Sequence, residues 1–287
     1  MTLPPLPLLV PTYPGETVDS FAHRAAATNH TTITDIEAGL RHQRLLTSRA
    51  RSHPRRATLW RELGGLPPEA FTTPATLNGH PVPARPLCRH CAGGDTVLAR
   101  LPPIGLICLS HQCTHDPPHN PTADLPGMLH AERRFRSLHR TRELVLDSPA
   151  MKIARDTALL AHPTKAATHH RSPPLGPPAV MIYRSQVAIA AMLTDNTFLQ
   201  HVCSTAPAPH RQQYLATRLT RAVGANGNDI GKALQHVWRI VDTLTDYLRA
   251  AESGHRTYTE AFHELLPYYA DRQPATRGAP GHRPFRI

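Results

Sequence analysis

Apolar residues recur along most of this chain at three- and four-residue spacing, the period of a helix. Val18, Phe21, Ala22 and Ala25 share one face of a helix that begins near Glu16 and Thr17. Asn29 is placed to close it in the left-handed conformation. Ile33, Ile36 and Leu40 form the buried side of a second helix, with Thr34 as N-cap and Glu37 as its capping-box partner. Two short helices joined by a tight polar turn resemble a helix-turn-helix unit, a pattern any paired helices also produce. Leu59, Trp60 and Leu63 restore the apolar stripe before Gly64-Gly65 ends it.

Between 76 and 127 the helical period lapses. Val97-Leu98 and the stretch from Ile104 to Leu109 predict short strands. Helical spacing returns over 128–160, where Phe135, Leu138 and Val145 make the apolar face and Ser148-Pro149 starts a further helix. Residues 161–179 read as a proline-rich linker. Ser185 is the expected cap of a helix through Val187, Ala190 and Leu193, and another helix carries Tyr214, Leu215 and Leu219 up to Gly224. Ile230, Leu234, Val237, Val241, Leu244 and Leu248 then alternate in steps of four and three. Such a seam fits a homodimer zipper or one buried face of a helical bundle, and Trp238 and Ile240 widen it in the second sense. Thr257 and Glu260 form a capping box, with Pro267 expected to end that helix, and the basic 271–287 tail reads as disordered.

The predicted fold class is therefore mainly α. A helix-turn-helix-like unit over 1–75 precedes a small ribbon segment over 76–127 and a helical hairpin over 128–160. After the linker comes a C-terminal helical bundle over 180–270. A length of 287 residues allows more than one core.

Candidate chemistry concentrates in the irregular segment. Cys88-Arg89-His90-Cys91 and Cys108-Leu109-Ser110-His111 are two knuckles at metal-ligand spacing. Three thiolates and one imidazole are the donor set that tetrahedral Zn2+ prefers. With every place filled by protein, no position stays open for water, so the metal is read as structural. Cys113, His115 and His119 follow closely as substitute ligands or part of a second site, although no second quartet is complete. Four of the five cysteines cluster here, which fits a reducing, cytoplasmic setting better than a disulfide framework.

Charge adds a partner. The net charge is +11, and only Lys152, Lys165 and Lys232 are lysines, so nearly all the basic charge is arginine. Guanidinium matches phosphate bidentately. Arg41, Arg44, Arg49, Arg51, Arg55 and Arg56 follow the second helix, and Arg133, Arg136 and Arg140 recur on one face of a later one. These are the candidate DNA phosphate contacts. The same residues also fit a solvated surface in an arginine-rich composition. No apolar run is long enough to span a bilayer. Neither a phosphate-binding loop nor a His-Glu-x-x-His helix is present, so enzymatic activity is not expected.

The residues Pro11-Thr-Tyr-Pro14-Gly15-Glu16-Thr17-Val-Asp-Ser20, leading into Phe21-Ala-His-Arg24-Ala25-Ala-Ala-Thr-Asn29, resemble the opening of the TniQ (TnsD/TniQ) family. Leu63-Gly-Gly-Leu66-Pro67-Pro68-Glu69 resembles that family's Gly-Leu-Pro turn, and the two knuckles resemble its zinc ribbon, in the same order. The family commonly adds a further Cys-x2-Cys, where this chain has Cys113 and His115. The resemblance implies a zinc-containing target-selection or adaptor protein of DNA transposition. It further implies contacts with DNA, with a AAA+ ATPase regulator and, through it, with the transposase. The rival readings are a zinc-containing helix-turn-helix transcription regulator and a zinc-dependent nuclease or hydrolase.

Overall fold

The computed structural model describes residues 3–115, 127–162, 177–224, 230–252 and 265–270. It is mainly helical with a few very short strands. In chain order, α1 is Val18–Thr28, α2 Ile33–His42 and α3 Pro54–Gly64. Among the described residues, two-residue strands follow: β1 Thr76–Leu77, β2 His80–Pro81, β3 Arg85–Pro86, β4 Leu98–Ala99, β5 Ile107–Cys108 and β6 Cys113–Thr114. They pair as β1-β2, β3-β4 and β5-β6. The remaining helices are α4 Met128–Arg142, α5 Pro149–Ala161, α6 Pro177–Leu193, α7 Asn196–Val202, α8 Ala208–Val223, α9 Ile230–Glu252 and α10 Leu266–Ala270. Among the described residues, no helix is long and apolar enough to cross a membrane.

The chain divides into two compact units. One comprises the described residues within 1–76, 82–101 and 113–120; the other comprises those within 77–81, 102–112 and 121–287.

In the first unit, Phe21, Ala22 and Ala25 of α1 pack with Leu40 of α2 and with Leu59, Trp60 and Leu63 of α3. Gly64 is needed here, because a Cβ would press on the Phe21 ring at 2.7 Å. Gly65 takes φ 59° as the left-handed C-cap of α3, as the sequence suggests. Two expected caps move. The N-cap of α2 is Thr32, whose hydroxyl accepts from the Asp35 N–H at 3.1 Å and donates to its carboxylate. Thr34 lies inside the helix, and Glu37 turns inward instead. At the end of α1 the left-handed residue is His30, while Asn29 keeps φ −90°. Asn29 exchanges two hydrogen bonds with the backbone of Leu8 and also donates its side-chain amide to the Ala25 carbonyl of its own last turn at 2.8 Å, so it ties the N-terminal segment to the end of α1.

In the second unit, one apolar cluster draws on α4 to α9, including Phe135, Ile153, Ile182, Leu193, Phe198 and Leu215. Val237, Val241 and Leu244 of the α9 seam are buried in this cluster, and Ile230, Leu234, Trp238 and Leu248 pack against it. Three expectations change. Helix α6 begins at Pro177, a first-turn position that tolerates a missing N–H, so Ser185 lies mid-helix. There its hydroxyl reaches the Val223 carbonyl at 3.3 Å. Pro267 occupies the first turn of α10 for the same reason and opens that helix. Ser148 is the N-cap of α5, but its hydroxyl makes no capping bond. The linker residues 163–176, the Thr257/Glu260 box and the 271–287 tail lie outside the described residues.

Candidate metal centre

The β3-β4 ribbon carries the first knuckle. Arg85 pairs with Ala99 and Pro86 with Leu98, and the Leu87 N–H donates to the Val97 carbonyl at 2.8 Å. Cys88 follows at once. The Ala92 N–H returns to the Cys88 carbonyl at 3.0 Å, and the Gly94 N–H to that of Arg89 at 2.9 Å. Gly93 and Gly94, at φ 59° and 98°, make the turn that a side-chain-bearing residue would strain. The second knuckle is the turn between β5 and β6, with Gln112 at φ 49°.

Residues 15–17 brace β4 from its other side. The Thr17 N–H donates to Leu98 at 3.0 Å and the Arg100 N–H to Gly15 at 2.8 Å. A Cβ on Gly15 would collide with the Arg100 carbonyl oxygen. Next to this contact the Glu16 carboxylate is buried. It accepts from the Ser20 hydroxyl at 3.0 Å and from Arg24 Nε and Nη2 at 3.0 and 2.8 Å. Arg24 also donates to the Pro11 carbonyl at 2.7 Å and to Asp95 at 2.9 Å. Burial opposes its charge, but Glu16 and Asp95 outweigh burial and raise its pKa.

Cys88, Cys91, Cys108 and His111 converge, each offering one ligand atom, and all four atoms lie within 4.8 Å of one another. The donor set fits zinc. Cys108 Sγ and His111 Nδ1 are 3.5 Å apart, about the edge of a tetrahedron built with Zn–S and Zn–N bonds of roughly 2.3 and 2.0 Å. Cys88 and Cys108 are buried, whereas Cys91 and His111 are exposed. A zinc ion held here would add its binding free energy to folding, because the four ligands come together only in the folded chain.

Cys113 and His115 fall in place beside the quartet. Cys113 Sγ is 3.5 Å from Cys88 Sγ, and the Cys88 N–H donates to His115 Nδ1 at 3.1 Å. Both thus touch Cys88, Cys113 through its sulfur and His115 through the Cys88 backbone, and neither belongs to the converging quartet. His119 lies outside the described residues.

The second knuckle has a support that the sequence did not announce. Glu132 of α4 is fully buried and accepts from the N–H groups of Gly105 at 2.9 Å and Ile107 at 3.3 Å. Tyr183 O–H and Arg136 Nε complete its shell at 2.8 and 2.9 Å. One signal was readable: Glu132 falls on the same helical face as Met128, Phe135 and Leu138.

The candidate DNA-binding arginines divide. Arg44, Arg49, Arg51, Arg55, Arg133 and Arg140 are exposed. Arg41 is half-buried, with Nη1 3.9 Å from Glu37. Arg136 is half-buried and engaged by Glu132. Arg56 is corrected outright. It is 4% exposed, with Nε on Glu37 and Nη1 on Asp19, both at 2.7 Å. Its guanidinium belongs to the fold, because Glu37 needs a charge partner once buried. No family model, curated protein or solved structure matches the chain.

Proposed function

We propose that this chain is a DNA-binding target-selection or adaptor protein of a DNA transposition system, organised around one structural zinc ion. The observation that carries the reading is the convergence of Cys88, Cys91, Cys108 and His111, the residues that resemble the zinc ribbon of the TniQ family. A second feature supports it. The opening phrase of that resemblance is one bonded set, in which Glu16 holds Ser20 and Arg24, and Arg24 reaches back to Pro11. In this reading α1 and α2 are the helix-turn-helix-like unit. The exposed arginines from Arg44 to Arg55 hold phosphates next to it, setting register without reading sequence. The helices after the ribbon form the bundle that engages a AAA+ ATPase regulator and, through it, the transposase.

The test is partner capture. Zinc-loaded protein is mixed with duplex DNA and with the AAA+ ATPase and transposase encoded at the same locus, with and without ATP. The reading expects an ATP-dependent complex on DNA. Failure to associate, together with a stable dimer of the chain on a palindromic duplex, would transfer the protein to the transcription regulators.

A further inference from the structure

A groove of about 400 Å³ opens between α4, α6 and α8 of the second unit. Arg134 and Arg142 come from α4, and Arg218 and Arg221 from α8; Ser137 and Thr141 add hydroxyls. A second concavity of about 530 Å³ shares Thr141, Arg142 and Asp195 with it and adds Arg140 and Glu143, so the excess of arginine lies in the first groove. None of the four arginines lining the first groove belongs to the set that periodicity had marked.

The charge in this groove is not balanced. Its one carboxylate, Asp195, is already engaged, accepting from Arg218 Nη2 at 3.2 Å and from the Thr197 N–H at 3.1 Å. Among the described residues, Arg134, Arg142 and Arg221 have no carboxylate within ion-pair distance. Arg142 is half-buried and donates only to neutral acceptors, the Ala191 carbonyl at 3.0 Å and the Thr194 hydroxyl at 2.6 Å. Burial lowers its pKa and Arg134 adds to the lowering, with Asp195 opposing. A fixed, partly desolvated guanidinium facing a like charge is stabilised by an incoming anion. The fork geometry of several arginines suits the oxygens of a phosphate.

We infer that the groove formed by Arg134, Arg142, Arg218 and Arg221 is a phosphate-binding site, occupied by a backbone phosphate of DNA. Arg133 and Arg140 on the same helix are also exposed and place further arginines beyond one phosphate's reach, which favours a polyanion over a free nucleotide. The inference rests on the DNA-binding reading for the source of the phosphate, but not on the zinc ribbon.

The test uses the full-length, zinc-loaded chain with Arg134→Gln and Arg221→Gln together. Both side chains are exposed, so the fold should survive, and a circular-dichroism melt checks that. A labelled DNA duplex, inorganic triphosphate and polyglutamate are titrated across a salt series. Expected are a roughly tenfold loss of duplex affinity and a salt slope shallower by about 1.8, for two lost phosphate contacts. A charge-matched control, Lys152→Gln with Arg239→Gln, should leave the slope near wild type. An unchanged duplex slope in the groove variant overturns the inference while DNA binding itself stands. An equal loss in the control overturns it too, as a general charge effect. Groove-dependent binding of triphosphate without duplex binding keeps the phosphate site and removes the DNA reading. Polyglutamate bound as tightly as the duplex, with the same dependence on the groove, overturns the assignment to phosphate. A wild type that binds none of the probes ends both.

Discussion

The hydroxyl of Tyr183 on α6 donates to Oε2 of Glu132 on α4 at 2.8 Å, and neither side chain has any exposed surface. The same carboxylate takes the Gly105 and Ile107 N–H groups, so one buried charge positions the strand that leads into Cys108. Replacing Glu132 with Ala would strand two backbone donors and a phenol in an apolar setting. A loss of about 3–5 kcal/mol is expected by urea unfolding. Tyr183→Phe removes one bond but keeps the ring, and should cost about 1–2 kcal/mol.

Gly105 tests the same junction by steric means. A Cβ there would run into both the Tyr183 hydroxyl and the Glu132 carboxylate. Gly105→Ala should destabilise by about 1–3 kcal/mol, as overpacking does. In Tyr183→Phe the oxygen is absent, so the alanine should cost less there. A double-mutant cycle on the melting curves measures that coupling.

The metal assignment separates ligands from neighbours. Cys91→Ser and Cys108→Ser should each abolish stoichiometric zinc by elemental analysis and leave residues 80–115 open to protease. Cys113→Ser should retain one zinc per chain, with at most a 10- to 100-fold weaker affinity, since that thiol touches Cys88 but lies outside the converging quartet. Acidification should release the metal, because thiolate and imidazole ligands must be deprotonated to bind.

Arg55 and Arg56 are adjacent in sequence and should behave oppositely. Arg56→Ala leaves Glu37 buried without its principal counter-charge and should cost about 3 kcal/mol in denaturant. Arg55→Ala should change stability by less than about 0.5 kcal/mol. Its effect should appear in DNA affinity, with a shallower salt dependence.

Tyr268 offers a pH readout for the docking of α10. Burial pushes its phenol up to about 12, with Glu143 adding and Arg142 opposing. The folded state then holds this proton more tightly than the unfolded state does. That stability is complete below pH about 10 and is lost as pH rises towards about 12. A tyrosinate absorbance titration should show a late-ionising tyrosine that disappears in Tyr268→Phe.

Short-range order settled much of this protein before any folding was considered. Helix positions followed from apolar periodicity, because a helix face repeats every three to four residues whatever it later touches. The knuckles followed from spacing, since a chelating pair must sit on one tight turn. Cap positions slipped where a polar side chain had a better tertiary offer. Thr34 lost the cap to Thr32, and Glu37 went inward to meet Arg56 and Trp60.

What only the tertiary structure decided is how each charge is used. Arg56 meets Glu37 across 19 positions, Tyr183 meets Glu132 across 51, and Arg218 meets Asp195 across 23. No local pattern encodes such pairs, because polar partners meet wherever packing brings their helices together. The repeating face of α9 shows the same division. Its period marked a buried stripe, and packing against the other helices of its unit determined what covers Val237 and Val241.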